Sequence, residues 1–195
     1  MKYLIFAMVL IWAMTPLAEA GYQEATDAFD KGDSLTALKE FQSLADDNDA
    51  SGQYGLGIMH DLGEGVSQSS EQAAKWYQLS AEQGHADAQN NLGVMYEEGE
   101  GVPRNYDEAM RWYRRAAESG NKDAPNNMGV IYMSGVGAIK DPVKAYMWFS
   151  VAGKVDPAAI SNKKFLLKRL TPDELARAKN MAQEWLKIRD QKNKN

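Results

Sequence analysis

Cysteine is absent from the 195 residues. That excludes disulfides, thiolate zinc sites, iron–sulfur clusters and thiol nucleophiles together. Histidine is nearly absent: His60 and His85 are the only two, 25 positions apart and with no acidic ligand at a fixed spacing. A catalytic zinc takes three protein ligands, so neither a metal nor a cofactor is expected. Positive charge is not in excess. The net charge of −5 argues against a nucleic-acid binder. Apolar residues make up 44% and charged residues 25%, which excludes wholesale disorder and a polytopic membrane protein.

The one long apolar run, Tyr3 to Met14, has twelve residues, short of the roughly twenty that a membrane-spanning helix needs. Lys2 precedes it, Thr15-Pro16 breaks it, and Ala18-Glu19-Ala20 follows with small residues at the two cleavage positions. This pattern predicts a signal peptide over 1–20, cleaved after Ala20. With no cysteine available for lipid attachment, the mature chain from Gly21 is expected to be periplasmic or secreted, with no membrane span.

The remainder repeats. Leu56, Leu92 and Met128 are each 36 residues apart, as are Gly57, Gly93 and Gly129. The same spacing relates Gly63, Gly99 and Gly135, then Gly65, Gly101 and Gly137, then Trp76, Trp112 and Trp148, then Tyr77, Tyr113 and Phe149. A fixed period of this length marks a stack of supersecondary units. Within one unit, Ala86 to Glu97 carries apolar or small residues at helical spacing. Gly99-Glu100-Gly101 ends that helix, Asn105 caps a second one from Tyr106 to Glu118, and Gly120 sits at its C-terminal turn. A single helical hairpin cannot bury its apolar face, so neighbours stack. The expected fold is all-α, an α-solenoid of antiparallel helix pairs.

The string A-x-x-x-L-G-x-M-Y-x-x-G-x-G-V from Ala88 to Val102, followed by A-x-x-W-Y-x-x-A-A-x-x-G from Ala109 to Gly120, resembles the Sel-1-like repeat. That family is a relative of the tetratricopeptide repeat. The resemblance implies a helical solenoid whose first helices line a concave, partner-binding surface. It covers about Ala50 to Gly153, departing at Pro125, at Ala138-Ile139, and at Asp156-Pro157 where glycine ended the second unit. The expected organisation is a leader over 1–20, a divergent leading repeat over 21–49, Sel-1-like repeats over 50–157, capping helices over 158–190 and a polar tail over 191–195. Thr171-Pro172-Asp173-Glu174 is a capping-box start for the last helix. This C-terminal hairpin would protect the open end of the stack.

Charge divides unevenly. Gly21 to Asn162 holds 11 basic and 22 acidic residues, whereas Lys163 to Asn195 holds 10 basic and 4 acidic. The basic end reads either as a solvated helix whose cations suit its C-terminus or as a weak contact for an anionic surface.

Several candidate sites dissolve on inspection. His60 aligns with Tyr96 and Tyr132, core positions. S-x-x-K occurs at Ser119–Lys122 and Ser161–Lys164, but no K-x-G exists in the chain, so a penicillin-binding or β-lactamase signature is not assembled. The tryptophan stripe at one helical position reads as core rather than as a ligand-stacking surface. The face of the first helices is the better site. Projecting Leu92, Gly93 and Tyr96 inward leaves Asp87, Asn90, Val94 and Glu97 outward. Tyr54 and Ile58 precede them in register, and Asp123, Asn126, Val130 and Met133 follow. Asn90 and Asn126 would present amides to an extended peptide backbone. The expected function is an exported, non-catalytic adaptor or assembly factor that binds a protein or peptide. A cell-envelope enzyme (wall hydrolase or penicillin-interacting protein) and a self-associating structural subunit are the alternatives.

Overall fold

The computed structural model describes residues 19–153 and 156–192. Most of the expected leader and the last three residues of the polar tail lie outside these; Gln191 and Lys192 instead continue the final helix. All regular structure among the described residues is helical: α1 (residues 19–30), α2 (Ser34–Asp46), α3 (Ala50–Leu62), α4 (Ser70–Glu82), α5 (Ala86–Glu98), α6 (Tyr106–Glu118), α7 (Ala124–Ser134), α8 (Pro142–Val151), α9 (Pro157–Leu167) and α10 (Pro172–Lys192). None of these helices is long and apolar enough to cross a membrane. Two compact units divide the chain. The first runs to Ala88 and takes in Glu100–Val102; the second comprises Gln89–Gly99 and continues from Pro103.

The helix starts repeat in chemistry though not in residue. Asp33, Ser69, Asn105 and Asp141, each 36 apart, cap α2, α4, α6 and α8 by accepting from backbone N–H groups of the first turn. Any short side chain with an oxygen acceptor serves there. The backbone N–H of Ser69, Asn105 and Asp141 in turn donates to the carbonyl of His60, Tyr96 and Tyr132, which closes each hairpin at the same place.

The helical glycines seat aromatic rings. A methyl group added at Gly57 would lie 2.4 Å from the Tyr77 ring; at Gly93, 2.7 Å from Tyr113; at Gly129, 2.5 Å from Phe149. Only a residue without a side chain lets the ring of the second helix lie on the backbone of the first. The second loop glycine makes a seam between successive repeats. Gly65, Gly101 and Gly137 all have positive φ and meet Ser34, Ser70 and Tyr106, themselves 36 apart. Each loop therefore rests on the start of the second helix one unit back.

In the first unit Phe41, Leu44, Leu56 and Met59 form the core with Ala25 and Ala28 of α1. In the second, Tyr113, Met128, Ile131, Trp148 and Phe149 extend to Leu166 of α9 and to Ala178 and Ala182 of α10. Helix α10 packs on α8, and Trp185 meets Trp148 edge-on, with centroids 5.3 Å apart. The Thr171–Glu174 capping box forms: each backbone N–H is bonded by the other's side chain. At the third repeat the second helix ends early. Gly153, φ +88°, takes the left-handed turn, and Asp156 caps α9 through Ala158 and Ala159.

Candidate functional site

The first helices begin on a second set of caps at 36-residue spacing. Asp49 accepts from Ser51 and Gly52, His85 from Ala88, and Asn121 from Asp123 and Ala124. His85 can do so only with a neutral Nδ1. It is also stacked on Tyr54, with ring centroids 4.4 Å apart and planes 25° from parallel. Desolvation pushes the His85 pKa below its ordinary 6.5, against the opposing pull of the Asp87 and Asp49 carboxylates.

The folded chain therefore binds this proton less readily than the unfolded chain. The stabilisation from neutral His85 is complete above the unfolded value and is lost as pH falls through the folded one. His85→Asn, which copies the cap at Asn121, is expected to flatten the fall in melting temperature between about pH 7 and pH 5. An unchanged slope in thermal melts across that range would remove His85 as its source.

In the first unit, Tyr54 and Ile58 are half-buried and Asp87 is exposed. Tyr54 is held between His85 and Tyr77, the latter at 5.8 Å between centroids. In the second unit, Asp123 is exposed, while Val94, Asn126, Val130 and Met133 are half-buried. Val94, Val130 and Met133 pack along the margin of the core.

Two residues expected on the open face have internal partners. Asn90 is only 9% exposed, and its Oδ1 accepts from Asn127 Nδ2 at 3.2 Å. Glu97 accepts from the Tyr113 hydroxyl at 2.7 Å. The helix is turned so that position 97 reaches the second helix of its own hairpin rather than solvent. Asp61, one unit earlier, accepts from Tyr77 at 3.3 Å. Where the third unit has Phe149, which lacks a hydroxyl, the acceptor position holds Met133. Burial and the hydrogen bond to Glu97 raise the Tyr113 pKa far above the usual phenol range, so its hydroxyl stays protonated and donating.

The amide pair is Asn90 with Asn127, not Asn90 with Asn126. Asn126 Oδ1 is buried and has no hydrogen-bond partner. Asn127 and its partner Asn90 are 37 positions apart, so no 36-residue register pairs them. The tryptophan stripe is core at Trp112 (8% exposed) and Trp148 (4%). Trp76 is half-buried against its own core. Among the described residues no group of three or more His, Cys, Asp and Glu converges on a point that could hold a metal ion. On the second-helix side, Arg111, Arg114 and Arg115 surround Met110, with the Arg115 guanidinium over the Trp112 ring.

The Sel1 repeat family model matches residues 50–85, 86–121 and 123–154, more than half of the chain. Among solved structures, a Sel1 repeat protein from Oxalobacter formigenes is 31% identical, with a TM-score of 0.69 over 74% of this chain and 58% of that one. Escherichia coli c5321, a protective antigen of uropathogenic strains with an SLR fold, is 28% identical, with a TM-score of 0.52 over 87% of this chain and 45% of that one. The chain thus spans about half the length of these two relatives. No curated protein matches it. The glycine-seated aromatics, the recurring caps and the loop seams are one unit written three times, and the chain belongs to the Sel1 repeat family.

Proposed function

We propose that this chain is an exported, non-catalytic repeat protein that binds a protein or peptide partner through the outward faces of its first helices, as an adaptor or assembly factor in the cell envelope. Within the second unit, Val94 and Val130 stand in one register and are both half-buried, apolar side chains that the hairpin cores use only in part; Ile58 holds the same register in the first unit. An extended peptide would cover Val94 and Val130 and meet the Asn126 amide beside them. The observation that carries the reading is Asn126, whose buried Oδ1 lacks a partner where Asn90 and Glu97 have found theirs inside the fold. A buried acceptor without a donor is unfavourable, and a peptide N–H supplied to a reoriented Asn126 would relieve it. The absence of any nucleophile–base pair at a recognisable spacing supports a binding role over an enzymatic one.

Asn126→Ala tests this reading, and it discriminates better than Asn90→Ala, which would strand Asn127. The melting temperature is expected to hold or rise, because no hydrogen bond is lost. Affinity for a partner captured by crosslinking from envelope extract is expected to fall about 2–10-fold, the usual worth of one hydrogen bond. The control is Arg114→Ala with Lys75→Ala on the second helices. Full affinity in Asn126→Ala with loss in the control would place the functional surface on the second helices. Export is tested separately: mass spectrometry of the cell-made protein is expected to find Gly21 as the first residue, and an intact Met1 in the soluble fraction would refute it.

A further inference from the structure

Helix α9 exposes an apolar and basic face that its own fold does not use. Leu166 and Ala159 turn inward, while Ile160 is 40%, Phe165 48% and Leu167 48% exposed. Three large apolar side chains within eight residues form a patch rather than the scattered exposure normal for a surface. Lys164, Lys168 and Arg169 are exposed among them, and the Arg169 guanidinium lies 3.5 Å over the Phe165 ring. No acidic residue occurs in α9.

An oppositely charged surface stands on the same chain. From Gly21 onward, helix α1 carries Glu24, Asp27 and Asp30 and no basic residue. With the start of α2 it forms an open groove of about 540 Å³, lined by Glu24, Asp27, Ala28, Lys31, Asp33 and Thr36 among others. Ala28 gives it an apolar floor, and Leu35, next to Thr36, is 76% exposed. A groove with three carboxylates against one lysine on its walls and alanine beneath complements a helix face with lysines at its middle and apolar groups at its sides.

We infer that the chain associates with a second copy of itself, the basic apolar face of α9 in one copy seating in the acidic α1–α2 groove of the other. At 100° per residue, Lys164 and Lys168 fall between Ile160 and Leu167 on one side and Phe165 on the other. Charges at the centre of a face suit carboxylates opposite them. A helix lying in a bilayer surface instead keeps its cations on a separate polar side. The chain from Gly21 to Asn162, with twice as many acidic as basic residues, would also be repelled by an anionic membrane. This inference is independent of the partner-binding reading of the first helices.

Sedimentation velocity over a concentration series tests it, with the purified protein in about 0.05 M and about 1 M salt, where the screening length falls to about 3 Å. The wild type is expected to show an average mass that rises with concentration and falls at high salt. Lys164→Glu with Lys168→Glu, and separately Glu24→Lys with Asp27→Lys, are each expected to weaken association at least about tenfold, because like charges then face each other. All four positions are exposed, and circular dichroism checks that the variants fold. An equimolar mixture of the two double variants is expected to associate again, since its opposed charges are exchanged rather than lost. Phe165→Ser is expected to weaken association without changing its salt dependence. A single-chain mass at every concentration and salt would overturn the inference. So would an α9 variant that associates like wild type, or a mixture that stays apart. Binding to phosphatidylglycerol vesicles by a protein that is monomeric in solution would assign α9 to a lipid surface instead.

Discussion

Tyr113→Ala is expected to destabilise the fold by about 3–5 kcal/mol, the range for removing a large buried aromatic. Tyr113 is 1% exposed, its ring lies on Gly93, and its hydroxyl donates to Glu97. The backbone of α5 cannot close over the space left, because α5 and α6 are fixed by the loop bond from Asn105 to Tyr96. The finer variant separates the ring from the hydroxyl. Tyr113→Phe keeps the packing but leaves the half-buried Glu97 carboxylate without its donor, which costs about 1.5–3 kcal/mol for a charged acceptor. The third hairpin shows what replaces this pair, since Phe149 stands there with Met133. Tyr113→Phe with Glu97→Met is therefore expected to regain most of what Tyr113→Phe loses. Urea unfolding of the wild type, both single variants and the double variant reads the coupling directly. A Tyr113→Phe protein as stable as wild type, or a double variant that sums the two single losses, would show that the hydroxyl–carboxylate bond contributes nothing.

That same pair shows how far the sequence could be read. The period, the hairpin boundaries and the capping box at Thr171 were legible because glycines, caps and aromatics recur at fixed intervals and each has one geometric use. The site was legible only in part. Helical projection separates a core side from an outer side by angle, but Glu97 sits near the boundary between them. A long side chain at a boundary reaches whichever partner is nearer, and the nearer one is the Tyr113 hydroxyl. Its role was nonetheless written in the sequence as a paired change, Asp61 with Tyr77, Glu97 with Tyr113 and Met133 with Phe149, which becomes meaningful once the two positions are known to touch. Asn90 was misplaced for a related reason. Asparagine is ordinarily a surface residue, and its burial depends on Asn127 arriving 37 positions later at 3.2 Å. His85 was weighed only as a metal ligand and not as a cap, since histidine is seldom read as one. The spacing of Asp49, His85 and Asn121 carries that role.

Gly101→Ala is expected to be the other severe substitution, for a reason that lies in the backbone of the neighbouring unit rather than in the core. Gly101 has φ +68°, and an added methyl carbon would stand 2.1 Å from the Ser70 carbonyl oxygen and 2.9 Å from the Glu71 amide nitrogen. These are backbone atoms at the first turn of α4, so no side-chain rotation relieves the clash. The left-handed conformation alone costs an alanine about 1–2 kcal/mol, and displacing the loop from the helix start adds about 1–3 kcal/mol of overpacking. A total of about 2–5 kcal/mol is expected, enough to loosen the seam of the first unit. Gly84→Ala isolates the two contributions. Gly84 has φ +98° and nothing within 4 Å of the added carbon, so only the conformational cost applies there. Chemical denaturation of both variants gives the difference, which is the worth of the close approach itself. Equal losses at Gly84 and Gly101 would show that the loop moves freely away from α4, and that the recurring contact of Gly65, Gly101 and Gly137 with the preceding helix start does not hold successive repeats together.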